Sequence, residues 1–188
     1  MTAKENIESV KSLLNQPIAL IGMMGAGKSF LGKALANSLS LDFVDSDELI
    51  EARAGITTSE IFEHYGEEKF RDTERKVIEE VCQRGVVVLS TGGGAPTNAQ
   101  TWETLKSQYL CVWLNADLEL MWSRVSKSQT RPLLKTADPK GTLKNLLDDR
   151  KPLYQQAHIE VKINARNART AEKRIIKALY EYLNTDNV

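Results

Sequence analysis

The stretch IALIGMMGAGKSFLGKALA, residues 18–36, decides the fold class of this chain. Its first four residues are apolar and indicate a buried strand, and the segment after Ser29 has helical character. Between them, residues 22–29 match G-x-x-x-x-G-K-S/T, the pattern of a loop whose backbone amides converge on phosphate oxygens. Because the loop follows a strand and opens a helix, as that pattern requires, we predict a phosphate-binding loop at residues 22–29.

The side chains of this loop indicate a nucleoside triphosphate as the ligand. Lys28 supplies a positive charge toward the β- and γ-phosphates, and the hydroxyl of Ser29 is placed to ligate Mg²⁺. The sequence has no N/T-K-x-D element that reads guanine, which disfavours a GTPase. The residues of this segment that we expect to contact ATP are Gly25, Ala26, Gly27, Lys28, Ser29 and Phe30.

Size and composition fit one globular domain. The chain has 188 residues, and its 25 Lys and Arg residues balance 25 Asp and Glu residues, so it lacks the net positive charge of most nucleic-acid-binding proteins. No apolar run approaches the roughly 18 residues of a membrane helix. Cys82 and Cys111 are best interpreted as buried small side chains. We therefore expect a cytoplasmic monomer that binds neither nucleic acid nor a membrane.

Short apolar runs alternate with longer helical patterns along the chain. Such runs, rich in Val, Ile and Leu, suit strands that are buried on both faces of a parallel sheet. They are residues 18–21, 43–44, 86–89, 110–114 and 159–163. Most segments between them are long enough for a helical crossover, so we predict a single three-layer α/β/α domain over residues 1–188 with about five parallel strands. Within it, residues 1–16 form an N-terminal extension with an amphipathic helical pattern.

Two carboxylates, Asp45 and Asp47, follow the second predicted strand. Two residues apart on an extended chain, they point to the same side, and the carboxyl end of a parallel strand faces the ligand cleft. One can hold the hydrated metal, and the other can orient or deprotonate an attacking hydroxyl. A structural alternative is that Asp47 caps the helix that follows it. The third strand ends without an acid, which makes Asp45 the better candidate on the metal side.

Three consecutive glycines, Gly92, Gly93 and Gly94, follow that third strand. Glycines after a buried strand suit close approach of the backbone to a ligand. A plain turn is the alternative interpretation.

In combination, these motifs resemble the shikimate kinase family. The matching elements are residues 22–29, Asp45-Ser46-Asp47, Phe70-Arg71, the three glycines, Arg131-Pro132-Leu133-Leu134 and Arg150-Lys151-Pro152-Leu153-Tyr154. Their order and spacing agree from about residue 17 to residue 183, so only the N-terminal segment lies outside the resemblance. Several kinases share the first element, whereas the combination is much more specific.

The resemblance implies both an activity and an architecture. The activity is transfer of phosphate from ATP to the 3-hydroxyl of shikimate, in chorismate and aromatic amino-acid biosynthesis. The architecture is the P-loop kinase fold of the nucleoside monophosphate kinase type, with strand order 2-3-1-4-5, a substrate-binding subdomain at about residues 45–75 and a lid at about residues 123–141. The lid segment is polar and basic, with Pro and Gly, which suits a loop that closes to exclude water. Lys127 and Lys135 within it are expected to be solvated.

The resemblance also implies roles for residues on the acceptor side. Asp47 would contact substrate hydroxyls and act as base or orienter. Arg71 and Arg150 would grip the substrate carboxylate, since two guanidinium groups can bind it bidentately and fix its orientation. Gly93 would donate its amide to the substrate. The three glycines that would line the substrate site are Gly92, Gly93 and Gly94.

On the nucleotide side, Arg131 would close from the lid onto the ATP phosphates and would act with Lys28 on the charge of the transferred group. Arg124 would lie against adenine, and Asn167 is a further candidate for adenine contact. One Mg²⁺ ion would be held by Ser29 and, through water, by Asp45.

Two alternatives remain open on the sequence. One is another small-molecule kinase of the same architecture, such as a gluconate kinase. The other is a regulatory module that binds ATP without catalysis. The combination of Arg71, the three glycines and Arg150 favours shikimate over gluconate. A module that only binds nucleotide need not keep Lys28, Ser29, Asp47 and Arg131, and the sequence has all four.

Overall fold

The computed structural model describes residues 2–126, 132–164 and 167–185. Its strands are β1 (Ile18–Ile21), β2 (Asp42–Asp45), β3 (Val87–Ser90), β4 (Leu110–Ala116) and β5 (Ile159–Ile163). They form one sheet in the order β2-β3-β1-β4-β5, and every pair is parallel. The predicted fold class and the strand order are confirmed.

The strands form at the apolar runs because these runs lie inside the domain. All four side chains of β1 and of β3 are buried, which is typical of a parallel sheet covered on both faces. β4 is longer than predicted, since Asn115 and Ala116 pair with Lys162 and Ile163 of β5. β5 lies at the edge of the sheet, and its side chains alternate between buried and exposed.

Helices flank the sheet: one precedes β1, one follows β5, and the others lie on the segments between strands. They are α1 (Ala3–Leu13), α2 (Lys28–Leu39), α3 (Ser46–Ala54), α4 (Thr58–Cys82), α5 (Ala99–Gln108), α6 (Leu118–Val125), α7 (Pro139–Tyr154) and α8 (Ala168–Thr185), with short 3-10 turns at Ala95–Thr97 and Pro132–Leu134. α1, α2 and α8 pack together, and α4 packs against α3 and α5. α4 bends at Gly66, whose φ of +79° is not helical.

The helix predicted in the N-terminal extension is present as α1. Thr2 and Glu5 form a capping box at its start, which satisfies backbone amides that the first turn leaves without partners. Val10 is fully buried, and Ile7 and Leu13 pack against the same core. Because α1 lies on α8 and α2, its apolar face serves packing of the domain.

The described part of residues 123–141 has more regular structure than the sequence suggested. α6 continues to Val125, the second 3-10 turn covers Pro132–Leu134, and α7 begins at Pro139, a position that proline favours because no amide is needed there. Within the described ranges, no helix is both long enough and apolar enough to cross a membrane.

Candidate active site

The phosphate-binding loop joins β1 to α2 in a conformation that requires glycine. Gly22, Gly25 and Gly27 have φ angles of +134°, +80° and +98°, where residues with a Cβ are strained. The ammonium of Lys28 folds back over the loop and donates to the carbonyls of Gly22 (2.8 Å) and Met23 (3.1 Å). Since Lys28 is also the first residue of α2, its charge and the helix N-terminus favour an anion at the same place.

The acids after β2 are arranged differently from the prediction. The strand ends at Asp45, whose Oδ1 accepts from the amides of Asp47 (3.0 Å) and Glu48 (3.3 Å) and so caps α3. The extended backbone therefore does not continue to Asp47. The alternative of a cap at Asp47 is also wrong, because Asp45 fills that position and Asp47 lies in the first turn of the helix. Both acids nevertheless border one cleft.

That cleft, of about 520 Å³, brings together all of the predicted substrate and metal residues. Those that line it are Ser29, Asp45, Asp47, Arg71, Gly92, Gly93, Gly94 and Arg150. They come from the last residue of β2, the first turns of α2 and α3, the loop after β3, and from α4 and α7. Because β2, β3 and β1 are neighbours in a parallel sheet, their carboxyl ends meet at one edge, where ligands bind in folds of this kind.

Arg71 is held in the cleft by two carboxylates of its own helix. It is 8% exposed. Its Nη1 donates to Glu74 (2.7 Å), and its Nη2 and Nε donate to Glu67 (2.9 and 3.3 Å). Burial alone would lower the pKa of Arg71, but the two carboxylates outweigh it and the pKa is raised. Gly94 lies against this guanidinium, since a Cβ there would be 2.1 Å from Nη2.

Glu74 is a fully buried acid beneath Arg71, and the sequence prediction did not include it. Its Oε2 accepts from Arg71, and its Oε1 lies where a side chain on Gly92 would clash, 2.3 Å from the Cβ position. Burial raises the pKa of Glu74 to about 7 against the opposing effect of Arg71, and the charge of Asp47 adds to the rise. Gly92 and Gly94 thus leave room for the ion pair between Arg71 and Glu74.

The glycine loop, defined as residues 92–94, packs tightly between two other parts of the site. The amide of Gly92 donates to the hydroxyl of Ser46 (3.1 Å), so this amide is used within the fold. Ser46 itself is fully buried between the two acids of the β2–α3 junction. A Cβ on Gly93 would come within 3.2 Å of the amide of Met24. The glycine loop therefore touches the phosphate-binding loop directly.

Arg150 and Tyr154 reach the site from α7. Arg150 is 6% exposed, and its Nη1 lies 3.9 Å from the sulfur of Met23. One turn later, the hydroxyl of Tyr154 donates to the carbonyl of Gly93 (2.5 Å) and lies 3.8 Å from the same sulfur. Helix α7 therefore places the guanidinium of Arg150 beside the phosphate-binding loop and contacts the glycine loop through Tyr154.

The nucleotide-side predictions are only partly brought together. Arg124 donates from Nη1 to the carbonyl of Gly25 (2.8 Å), and burial lowers the pKa of Arg124. Phe30 is 65% exposed. Asn167 accepts a hydrogen bond from a backbone amide in the first turn of α8 (2.9 Å). Among the described residues predicted to contact ATP, Ser29 lines the cleft, and Arg131 lies outside the described residues. The described residues of that set that do not line the cleft are Gly25, Ala26, Gly27, Lys28, Phe30, Arg124 and Asn167.

Two further residues were not predicted as part of the site. Lys135 is exposed, as the sequence predicted, and it also lines the cleft with Leu133. For Glu74, a signal was present, since it lies one turn from each of Phe70 and Ile78 on the buried face of α4. An acid at a core-facing position of an amphipathic helix indicates a buried partner.

A triphosphate loop that opens onto the same cleft as two guanidinium groups suits transfer of a phosphoryl group to a small anionic acceptor. The fold and the site thus define a phosphate-loop kinase of small molecules. Comparison with known proteins gives the family. The family model described as shikimate kinase matches residues 24–180, and this chain belongs to the shikimate kinase family.

Individual relatives agree with that membership. A curated shikimate kinase of Mesorhizobium japonicum is 42% identical over 185 residues, which are 96% of this chain and 91% of that protein. A solved shikimate kinase from Acinetobacter baumannii, in complex with shikimate, superposes with a TM-score of 0.88 at 38% identity and covers 92% of this chain and 97% of its own. A gluconokinase from Sinorhizobium meliloti, at 15% identity and a TM-score of 0.54, covers 92% of this chain and 95% of its own and shares the fold alone.

Proposed function

We propose that this protein transfers the γ-phosphate of ATP to the 3-hydroxyl of shikimate, giving shikimate 3-phosphate and ADP. The observation that carries the proposal is that Ser29 of the phosphate-binding loop, Arg71 and Arg150 border one cleft. Direct transfer requires donor and acceptor sites that open onto the same space, close enough for displacement in line. Membership of the shikimate kinase family supports shikimate as the acceptor.

The acceptor site suits a small cyclic polyol with one carboxylate. We assign the carboxylate to Arg71 and Arg150, because guanidinium groups bind carboxylates bidentately and two of them fix its orientation. Glu67 and Glu74 hold Arg71 before substrate arrives, which lowers the cost of ordering that side chain on binding. We assign ring hydroxyls to Asp47 and the amide of Gly93. Residues 45–75 would then form the substrate-binding subdomain.

The mechanism that we propose is direct, with no covalent enzyme intermediate. Asp47 orients the acceptor hydroxyl and accepts its proton. Lys28 offsets the negative charge on the phosphoryl oxygens, and Arg131 does so from the lid at residues 123–141. Closing of the lid excludes water, which would otherwise compete as the acceptor.

The residues beside the loop fit one Mg²⁺ ion. Mg²⁺ prefers oxygen ligands and usually keeps several waters and substrate phosphates, so two protein ligands suffice. The hydroxyl of Ser29 and the carboxylate of Asp45 both border the cleft, and the cap of α3 uses only Oδ1 of Asp45. When bound, Mg²⁺ neutralises charge on the β- and γ-phosphates.

For the nucleotide, we propose that the backbone of residues 25–30 surrounds the phosphates. Arg124 would lie against adenine, and its hydrogen bond to Gly25 ties that guanidinium to the loop and so supports the assignment. Asn167 would be a second adenine contact from the segment before α8.

An acceptor panel tests the function. ADP release would be measured with ATP, Mg²⁺ and either shikimate, gluconate or no acceptor, and Lys28→Ala would give the background. We expect release that depends on shikimate. A faster rate with gluconate would overturn the acceptor, and ATP binding without acceptor-dependent release would favour the regulatory module.

A further inference from the structure

The carbonyls of the glycine loop are held by two different kinds of partner. Those of Gly92 and Gly94 accept from backbone amides of the 3-10 turn that directly follows (3.1 and 2.9 Å), and that of Gly94 also accepts from the hydroxyl of Thr97 in the same turn (2.7 Å). The carbonyl of Gly93 instead accepts from the hydroxyl of Tyr154 (2.5 Å), 61 residues away on α7. The middle peptide of the loop therefore depends on a side chain from another element.

Tyr154 is itself rigidly placed. It is fully buried, and its ring stacks on Trp113 of β4 with centroids 6.0 Å apart and 28° between the planes. Its hydroxyl also lies 3.8 Å from the sulfur of Met23 in the phosphate-binding loop. Burial raises the pKa of Tyr154 to about 12, so the hydroxyl keeps its proton and remains a donor near neutral pH.

We propose that Tyr154 is a positioning residue for phosphoryl transfer. Its hydroxyl holds the peptide between Gly93 and Gly94 in the orientation that presents the glycine loop to the acceptor. Glycine has no Cβ to restrict its backbone, so a Gly-Gly peptide without an anchor has several orientations available. The amide of Gly92 is already used by Ser46, so the acceptor depends on the rest of the loop. This inference rests on the proposed function, because it names what shapes the acceptor side of that site.

Tyr154→Phe removes the hydroxyl and keeps the ring. We expect the Kd and the KM for shikimate to rise about tenfold, while the Kd for MgATP changes by less than about twofold. Calorimetric titration gives both Kd values, and initial rates give KM and kcat separately. A loss of folding alone would lower the active fraction and kcat without this selective change.

Tyr109→Phe is the matched control. Tyr109 is also fully buried, and its hydroxyl donates to the backbone carbonyl of Ile78 (2.6 Å), outside the cleft. We expect this variant to unfold at a lower temperature with both Kd values unchanged. The inference is overturned if Tyr154→Phe leaves shikimate binding unchanged, weakens MgATP binding equally, or behaves as Tyr109→Phe does.

A graded variant covers the case in which Tyr154→Phe does not fold. 4-Aminophenylalanine at position 154 keeps a donor at the same place, but the amine is a weaker donor than the phenol. We expect a Kd for shikimate about threefold above that of the wild type, with MgATP unchanged. No change, or an equal change for both ligands, contradicts the inference. Wild-type protein without shikimate-dependent ADP release would instead refute the proposed function.

Discussion

Asp47 and Glu74 show how position gives two neighbouring carboxylates different properties. Asp47 is half-buried in the first turn of α3 and borders the cleft, so a molecule in the cleft can reach it. Glu74 is fully buried beneath Arg71 and against Gly92. The first acid is therefore available for chemistry, whereas the second shapes the pocket and holds the guanidinium.

Replacing Asp47 by Asn keeps the shape of the side chain and removes its charge. We expect kcat to fall on the order of 10²-fold or more, because the acceptor hydroxyl loses its base. Shikimate KM should change much less, and steady-state rates of ADP release measure both. Glu48→Gln is the control, since Glu48 is exposed at the same cleft and pairs with Lys33 (3.1 Å). Near-normal turnover in Asp47→Asn would refute the assigned role.

The raised pKa of Glu74 makes stability depend on pH. Its pKa is about 7 in the folded protein and near 4.5 in the unfolded chain, so the folded state binds the proton more tightly. The resulting stabilisation is complete below about pH 4.5 and is lost as pH rises through about 7, a change on the order of 3 kcal/mol. In Glu74→Gln this contribution disappears.

Urea unfolding of wild type and Glu74→Gln at several pH values between 4.5 and 8 measures that change as the difference between the two free energies of unfolding. Glu67→Gln is the control, because Glu67 also pairs with Arg71 but is exposed. A difference between wild type and Glu74→Gln that stays constant over this range would contradict the shifted pKa.

Among single residues, the sequence predicted those that belong to recognisable motifs and missed the residue that holds one of them in place. Asp45, Asp47, Arg71 and Arg150 stand in motifs, and all four line the cleft. Glu74 sits in a run of charged residues, where most acids are solvated, and only its helical phase distinguishes it. Burial depends on what packs against a face, and a local pattern does not contain that information.

Among the elements, the glycine loop is the most sensitive to added volume. Gly94→Ala puts a Cβ 2.1 Å from Nη2 of Arg71, so the guanidinium has to leave its place between Glu67 and Glu74. We expect KM for shikimate to rise about tenfold or more, because one carboxylate contact is displaced. Steady-state kinetics with varied shikimate and saturating ATP measure it.

Gly32→Ala is the matched control for that substitution. Its Cβ meets the ring of Phe43, at 2.5 Å, and neither residue lines the cleft. We expect it to lower the unfolding temperature while KM for shikimate stays near the wild-type value. A normal KM in Gly94→Ala would show that Arg71 can move without loss of substrate binding.

α1 contributes to the packing of the core. Val10 is fully buried between α1 and the core, so Val10→Ala should cost about 2 kcal/mol of unfolding free energy through lost apolar contact and the cavity left behind. Chemical denaturation measures the cost, and both KM values should stay unchanged. Ile7→Ala, at a half-buried position of the same helix, should cost less. An equal or smaller loss for Val10→Ala would contradict the packing role.

The hydrophobic periodicity of the sequence predicted where strands and helices lie. Their first and last residues depend on hydrogen-bond partners from elsewhere in the chain. β1 and β5 have the predicted bounds, since both are uninterrupted apolar or alternating runs. β4 extends beyond its apolar run because β5 supplies ladder partners for Asn115 and Ala116. The start of α3 was misjudged because a cap is decided by which side chain accepts the first amides, here Asp45 and not Asp47.

For the molecule as a whole, the sheet order creates the site. β1, β2 and β3 are separated along the chain by helices, yet they are neighbours in the sheet, so the phosphate loop, the acids and the glycine loop converge. Periodicity alone predicted parallel strands but not their order, since many orders satisfy the same pattern of burial. The order came from the resemblance, which rests on motifs spread over the whole chain.

Removing Mg²⁺ should separate activity from folding. With excess EDTA we expect ADP release to fall to background, because charge on the phosphates is no longer neutralised. The unfolding temperature without ATP should stay unchanged, since Asp45 caps α3 within the protein and Ser29 lies 3.4 Å from the hydroxyl of Ser90. Thermal scans and rate assays on one sample test whether activity is lost without a change in stability. Addition of excess Mg²⁺ to the same sample is the control. Unfolding by EDTA alone would point to a structural metal.

The stacking of Trp113 on Tyr154 also gives the domain an internal optical probe. Trp113 is 2% exposed, and its ring neighbour contacts the glycine loop through one hydrogen bond. A movement of that loop on ligand binding would therefore alter the surroundings of this buried indole. The other two tryptophans are Trp102 and Trp122. With both replaced by Phe, intrinsic fluorescence would follow occupancy of the cleft in real time without any added dye.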